Sequence, residues 1–325
     1  MQAWMCESLD GVDALKWRDL PTPEPQAGEV RIAIRAASLN FPDSLTIVGK
    51  YQFKPELPFV PGSEFSGRID ALGEGVTGFQ VGEPVVGIAS SGGFATHACM
   101  PAARVLPLPP GVDLVDASAF AFTYGTSHHA LLDRGALQPG ETVLVLGAAG
   151  GVGTAAVQIA KAAGARVIAA ASSDAKCEFL KTLGADATIN YSQASLRDAL
   201  KAATDGKGPD VIYDPVGGDL AEPALRSIAW RGRYLVIGFA AGSIPALPWN
   251  LPLLKGAAIV GVFWGEFARR EPRAFAAGMA QLMQWYAQGK VRPAIDRRLP
   301  MAEVRAAYHR MASRQVQGKV VLVNG

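Results

Sequence analysis

Metal-binding side chains are scarce in this chain, whose 325 residues include three cysteines and four histidines. Cys6, Cys99 and Cys177 stand far apart, no C-x-x-C pair offers a zinc knuckle, and three thiols cannot all pair. Buried or idle thiols in a reducing compartment are the expectation. Neither sign of charge dominates: 31 lysines and arginines against 29 aspartates and glutamates leave a net charge of +2. Such a balance gives no electrostatic footprint for nucleic acid or for an acidic membrane surface. The most apolar stretch, 142–160, is broken by Gly147, Gly150, Gly151 and Gly153, so it reads as strand, turn and helix rather than a membrane span. Glu7, Asp10, Asp13, Lys16, Arg18 and Asp19 fall where a secretory signal would need an apolar core. With 49% hydrophobic and 18% charged residues, a cytoplasmic globular protein with a large core is expected.

Punctuation, by contrast, is plentiful: 36 glycines and 22 prolines mark many tight turns. At roughly 100–200 residues per domain the length suits about two domains. Residues 1–122 carry short β-rich runs at 30–36, 65–72, 84–88 and 95–100, and predict a small, irregular, mostly antiparallel barrel. Residues 123–264 have another rhythm. A continuous apolar run at 142–147 predicts a strand buried on both faces, followed by helix-period sequence at 152–163. The alternation recurs through strands at 166–171, 187–190, 211–213 and 233–237 and helices at 174–183, 195–204 and 221–230. Repeated βα units predict an α/β fold with a doubly wound parallel sheet. The last segment, 265–325, reads as a long helix at 272–288, a polar strand, a helix at 301–312 and a strand at 319–323. At roughly 60 residues it is too short for its own core. It is expected to rejoin the first zone, giving a discontinuous domain, 1–122 with 265–325, and a nucleotide-binding domain, 123–264.

The heptad Gly147-Ala-Ala-Gly150-Gly151-Val152-Gly153 lies between the buried strand and its helix. A glycine turn there lets the backbone approach a pyrophosphate, and the helix N-terminus adds N–H groups and partial positive charge. Its place inside repeated βα units is what separates it from a chance glycine cluster. An NAD site would put an acidic residue about 20 residues further on, at the tip of the next strand. Here that strand ends in Ala171-Ser172-Ser173, and Lys176 follows one turn later. Two hydroxyls and an ammonium suit a 2′-phosphate, so NADPH is the expected cofactor. The alternative for Lys176 is a solvated helix face. Asp174 is read as the N-cap of the helix that follows.

Several motifs then carry a family likeness. They are Ser38-Leu-Asn40-Phe-Pro-Asp43, Pro58-Phe-Val-Pro61-Gly-Ser63-Glu-Phe-Ser-Gly67, the glycine heptad, Leu183-Gly-Ala185 before Asn190-Tyr191, and Asp214-Pro-Val-Gly-Gly218. With them the chain resembles, essentially end to end, the medium-chain dehydrogenase/reductase superfamily and its zinc-independent NADPH:quinone oxidoreductase group. The resemblance implies a GroES-like barrel domain and a Rossmann domain, with the active site between them. Zinc alcohol dehydrogenases of this superfamily have a cysteine near Asn40 and Gly-His-Glu where this chain reads Gly62-Ser63-Glu64. Zinc needs three or four N, S or O ligands, and His97, His128, His129 and His309 are not arranged to supply them. No metal is expected. The implied function is NADPH-dependent reduction of a quinone. Reduction of the C=C bond of an α,β-unsaturated carbonyl (enone, enal or enoyl thioester) stays open, as does a non-catalytic, crystallin-like NADPH-binding protein.

By the same resemblance Asn40 and Asp43 lie where the nicotinamide end enters, with Asn40 bonding cofactor or substrate; a loop-capping pair is the plainer reading. Tyr51 could donate a proton or hydrogen bond to the acceptor oxygen, or simply pack. One histidine of His128-His129, taken as His129, touches the cofactor or serves a helix face. Tyr191 is carried over to the adenosine phosphate, and Gly238-Phe239-Ala240 to backbone contacts with the nicotinamide. Val262-Phe263-Trp264 is expected to end the last sheet strand and line the cleft, although each aromatic could be plain core. The run 258–264 is an apolar edge strand without protective charges or prolines. Bare edges template aggregation, so a homodimer pairing this strand about a two-fold axis is expected.

Overall fold

The computed structural model describes residues 1–325. The chain divides into two compact units, Met1–Phe122 with Ile295–Gly325, and Thr123–Ala294.

The first unit is organised by the ten-residue strand Glu29–Ser38, whose alternation buries Val30, Ile32 and Ile34. Glu64–Leu72 pairs along one side of it, antiparallel, with Ser38 opposite Glu64. The other side is shared: His97–Pro101 pairs with residues 29–33, and Lys319–Val323 with residues 36–38. Register shifts at Arg31/Ile32 and Ile34/Ala36 curve the strand. Pro84–Ile88 and Val105–Pro107 extend the sheet beyond Glu64–Leu72, and Ile295–Pro300 adds a parallel pair to Lys319–Val323. The core gathers Phe65, Val85, Phe94, Met100, Tyr308 and Leu322 around these strands. This arrangement brings the residues after Ser38, the start of Glu64–Leu72 and the start of Lys319–Val323 to one place. A ribbon of Gln2–Met5 with Lys16–Asp19 and a short helix, Phe41–Thr46, were not legible beforehand. The second strand of the ribbon is too polar to show alternation, and the helix is only six residues long.

In the second unit six parallel strands stand in the order Ala187–Asn190, Arg166–Ala171, Thr142–Val145, Val211–Asp214, Arg233–Val236 and Ala258–Gly261. Chain order reverses between Thr142–Val145 and Val211–Asp214, the switch point at which doubly wound sheets bind ligands. Val143, Leu144 and Val145 are fully buried, as a strand covered on both faces requires.

Residues 265–294 belong to this second unit and not, as expected, to the first. The reason is side-chain packing on the helix Ala121–His128 and its continuation. Trp264 lies against Gly125, where a Cβ would come within 2.6 Å of the indole, and its ring centroid is 5.7 Å from that of Phe275. Gln281 Oε1 is 2.6 Å from His128 Nε2. Tyr124 donates to the Arg292 carbonyl (2.7 Å), and the Arg292 N–H donates to Gln158 (2.7 Å). The helix period of 272–288 was readable, but not its packing partner. Trp264→Ala should therefore lower stability by about 3–5 kcal/mol, the cost of emptying a large aromatic site. Urea unfolding checks this, and an unchanged midpoint would show that Trp264 does not anchor the segment.

Candidate active site

The glycine turn is shaped by close approach. Gly147 has φ 55°, and a Cβ there would meet Val216 at 2.6 Å. A Cβ on Gly153 would lie 2.5 Å from the Gly147 carbonyl oxygen, so only glycine lets the helix start this near the turn. Gly150 is the N-cap of Gly151–Ala162 and brings no capping side chain. The first-turn N–H groups of Gly151, Val152 and Gly153 have no acceptor inside the helix and concentrate positive potential there. Polar posts hold the surroundings. Ser127 Oγ donates to the Val152 carbonyl (2.9 Å) and is itself 2.9 Å from the Tyr213 hydroxyl. Asp214 accepts the Val216 and Gly217 N–H groups (2.8 and 2.9 Å) on one oxygen and the Tyr234 hydroxyl (2.5 Å) on the other. The motif around Asp214 was visible in the sequence; its Tyr234 partner was not.

Gly238, Phe239 and Ala240 follow Arg233–Val236 and close over this loop. The N–H groups of Gly238 and Ala240 donate to the carbonyls of Asp214 (3.4 Å) and Pro215 (3.0 Å), and Phe239 lies against Gly217. These two donors are thus used inside the loop.

At the tip of Arg166–Ala171, Lys176 Nζ lies 3.2 Å from Ser172 Oγ. The N-cap is Ser173 and not Asp174: Ser173 is extended (φ −161°) and accepts the Lys176 N–H, whereas Asp174 is already helical. Asp174 instead accepts from Asn190 (2.8 Å) and Gln193 (3.1 Å), which turns its charge toward amide donors. Tyr191, Ser195, Arg197, Gly218, Asp219 and Ile244 line a cavity of about 810 Å³ beside this corner.

His129 and residues 262–264 stand on other elements of the second unit. His129 stacks on Phe267 with ring centroids 3.8 Å apart, and its Nδ1 is 2.7 Å from Asp133. Burial lowers the pKa of both His128 and His129. Residues 262–264 do not end the sheet strand, which stops at Gly261; Phe263 caps the helix Trp264–Arg270 and is half exposed, while Trp264 is core.

In the first unit the structure assembles a cluster that sequence reading found only in part. Asn40, Asp43, Ser63, Glu64 and Lys319 are all buried. The Asn40 N–H donates to Asp43 (2.8 Å), so the pair does cap Phe41–Thr46. The Asn40 amide has further partners: Nδ2 donates to Glu64 (3.2 Å), and Oδ1 accepts from Lys319 Nζ (2.5 Å). Glu64 also accepts from Ser38 Oγ (2.9 Å) and the Phe122 N–H (2.8 Å), with Lys319 at 3.7 Å. Tyr51 is near enough that burial and the Asp43 charge both raise its pKa. The buried Tyr308 hydroxyl, which also senses Asp43, lacks a hydrogen-bond partner. Lys319 was missed because it looks like the first residue of an ordinary terminal strand; a lysine opening a run of buried Val and Leu was the available signal.

Burial moves the Asp43 carboxyl up to about 6, against the pull of the Asn40 N–H and Lys319, and it lowers Lys319. A folded-state pKa above the ordinary 3.8 means the folded protein holds this proton more tightly. The associated stability is present below pH about 4 and lost as pH rises through about 6.

Two family models match: the alcohol dehydrogenase GroES-like domain over residues 26–110 and the zinc-binding dehydrogenase over 151–285. The chain is 38% identical over 303 residues to quinone oxidoreductase-like protein 2 of Bos taurus, covering 93% of this chain and 87% of that one. The quinone oxidoreductase of Thermus thermophilus, solved also in complex with NADPH, superposes with a TM-score of 0.87 at 34% identity over the full length of both chains. A mycobacterial protein solved with NADPH gives a TM-score of 0.92 at 30% identity, again with complete coverage of both. A doubly wound sheet with a glycine turn at its reversal defines a dinucleotide-binding architecture. Within that class, the chain belongs to the quinone oxidoreductase group of the medium-chain dehydrogenase/reductase superfamily.

Asp43→Asn keeps an acceptor for the Asn40 N–H and removes the titration. It should raise the melting temperature at pH 8, by an amount equivalent to about 3 kcal/mol, and change it little at pH 4. Thermal melts of both proteins across that range check the sign; an equal shift at both pH values would contradict it.

Proposed function

We propose that this protein is an NADPH-dependent, zinc-independent reductase whose acceptor is a quinone. The observation that carries the cofactor choice is the corner beyond the glycine turn, where Lys176 and Ser172 stand together and Asp174 is engaged by amides. A 2′-phosphate needs positive charge and hydroxyl donors, and an unpaired carboxylate would repel it. The turn itself fits a pyrophosphate, because Gly150 caps the helix without a side chain and leaves the first-turn N–H groups bare. Gly150, Gly151, Val152 and Gly153 would hold the pyrophosphate, and Ser172, Ser173, Lys176 and Tyr191 the adenosine end. Gly238, Phe239, Ala240 and Phe263 are assigned to the nicotinamide side, with His129 and Trp264 as supports behind it. When bound, NADPH supplies a hydride.

Zinc is a poor fit to the reaction end. Asn40 and Ser63 offer no thiolate or imidazole, and the Lys319 ammonium, 2.5 Å from Asn40 Oδ1, places a positive charge there already. A quinone or conjugated carbonyl needs no Lewis acid of that strength, since its own π-system spreads the incoming charge; orientation then supplies much of the rate. Asn40 and Tyr51 are the donors proposed for the acceptor oxygen, and Asp43 tunes Tyr51. The three free cysteines suit a reducing, cytoplasmic setting. We also propose a homodimer. Ala258–Gly261 is the sheet edge, and Ile244, Trp249, Leu253 and Leu254 are strongly exposed apolar side chains in the same unit. Pairing through such an edge would cover it.

NADPH oxidation assayed against quinones and against enones tests the function, with turnover expected for quinones. Turnover with enones alone would move the reading to C=C reduction, and tight NADPH binding with no acceptor to a binding protein. Lys176→Ala should weaken NADPH binding by about 1–3 kcal/mol and leave NADH binding unchanged. Titrations of both cofactors check this, and equal losses would show that Lys176 does not read the 2′-phosphate. Light scattering should find a dimer at micromolar concentration and a monomer for Ile259→Glu with Val262→Lys; a monomeric wild type would refute the assembly.

A further inference from the structure

The amide of Asn40 has only one orientation compatible with its neighbours. Lys319 Nζ can only donate, and the Glu64 carboxylate only accepts. The amide oxygen must therefore face Lys319, at 2.5 Å, and the nitrogen must face Glu64, at 3.2 Å. The backbone of Asn40 is fixed as well, through its N–H to Asp43. Glu64 is held from a third direction by Ser38 and Phe122. An amide nitrogen carries two hydrogens, and Glu64 takes one of them. The second is held in a fixed direction by the plane of a side chain pinned at both ends.

We propose that Lys319 is a positioning residue: together with Glu64 it locks the Asn40 amide so that the remaining Nδ2 hydrogen is a fixed donor to the carbonyl oxygen of the acceptor. This rests on the reductase reading given above. Lys319 never touches the acceptor in this scheme; it acts by forbidding the flipped amide, which would present a carbonyl oxygen to a carbonyl oxygen. The strand Lys319–Val323 thereby gives the C-terminal return of the chain a role in the chemistry as well as in the sheet. Asp43, Tyr51 and Tyr308 also border the cluster, so the proposal must be separated from general electrostatic damage.

Two variants make that separation. Lys319→Met removes the ammonium and keeps the length of the stem, but leaves Glu64 without its cation. Lys319→Met with Glu64→Gln removes both charges together and leaves the net charge of the cluster unchanged, so it tests the lock without stranding Glu64. In the double variant, acceptor kcat/KM should fall about a hundredfold, the scale of a misplaced reacting group, while the NADPH dissociation constant stays within about twofold. Asn40→Ser added to it should cost little more, because the donor is already lost. A readout free of turnover is the Asn40 side-chain amide in nitrogen-15 NMR. Two Nδ2 proton signals shifted away from free-amide positions and slow to exchange with solvent are expected in the wild type, and a pair near free-amide positions that exchanges quickly with solvent in the double variant. Unchanged amide signals, an undiminished kcat/KM, or a loss confined to NADPH binding would each overturn the proposal. A wild type inactive with every acceptor would instead refute the reductase reading, and the amide signals would still decide whether Lys319 sets the orientation.

Discussion

A single buried ammonium sets the terms for the first unit. Lys319 is accommodated only because Glu64, Asp43 and Asn40 surround it, and each of those depends on it in turn. Removing Lys319 or Glu64 alone leaves the other charge uncompensated, at a cost of about 3–5 kcal/mol, although the intact pair need not stabilise the fold at all. The cluster spans the end of Glu29–Ser38, the start of Glu64–Leu72 and the start of Lys319–Val323, so it can exist only when the C-terminal segment returns to the N-terminal sheet.

The second unit solves a different problem, that of bringing backbone close to a ligand. Glycines at 147 and 153 let Val216 and the turn's own carbonyls pack against the start of the helix, and buried hydroxyl and carboxylate posts hold the loops in place. Asp214 with Tyr234 and Ser127 with Tyr213 are fully internal, so the rigidity comes from hydrogen bonds and not from bulk near the site.

The parts that were legible in the sequence are those with a local cause. The glycine turn, the strand Arg166–Ala171 and the Ser172–Lys176 pair follow from spacing within about thirty residues, as βα units do. The alternating strands of the first unit were equally readable. What could not be read is what depends on distant partners. Lys319 meets Asn40 across 279 positions, and Tyr124 meets Arg292 across 168. The assignment of 265–294 failed for that reason: its helix period says that one face is buried, and nothing local says against what. Asp174 was misread by one position, because serine and aspartate are both good caps and only the backbone, extended at Ser173, decides between them.

In the proposed reading, the reaction end uses its own ammonium where zinc-dependent members of the superfamily use a metal. The distinction is chemical: a metal would polarise an alcohol, whereas Lys319 would orient an amide donor for an acceptor that is already electron-poor. Metal analysis of the purified protein, combined with its rate of NADPH oxidation by a quinone before and after exhaustive chelation, tests this most directly. The account predicts no stoichiometric zinc and an unchanged rate. One zinc per chain, with activity lost on chelation and restored by zinc, would contradict it.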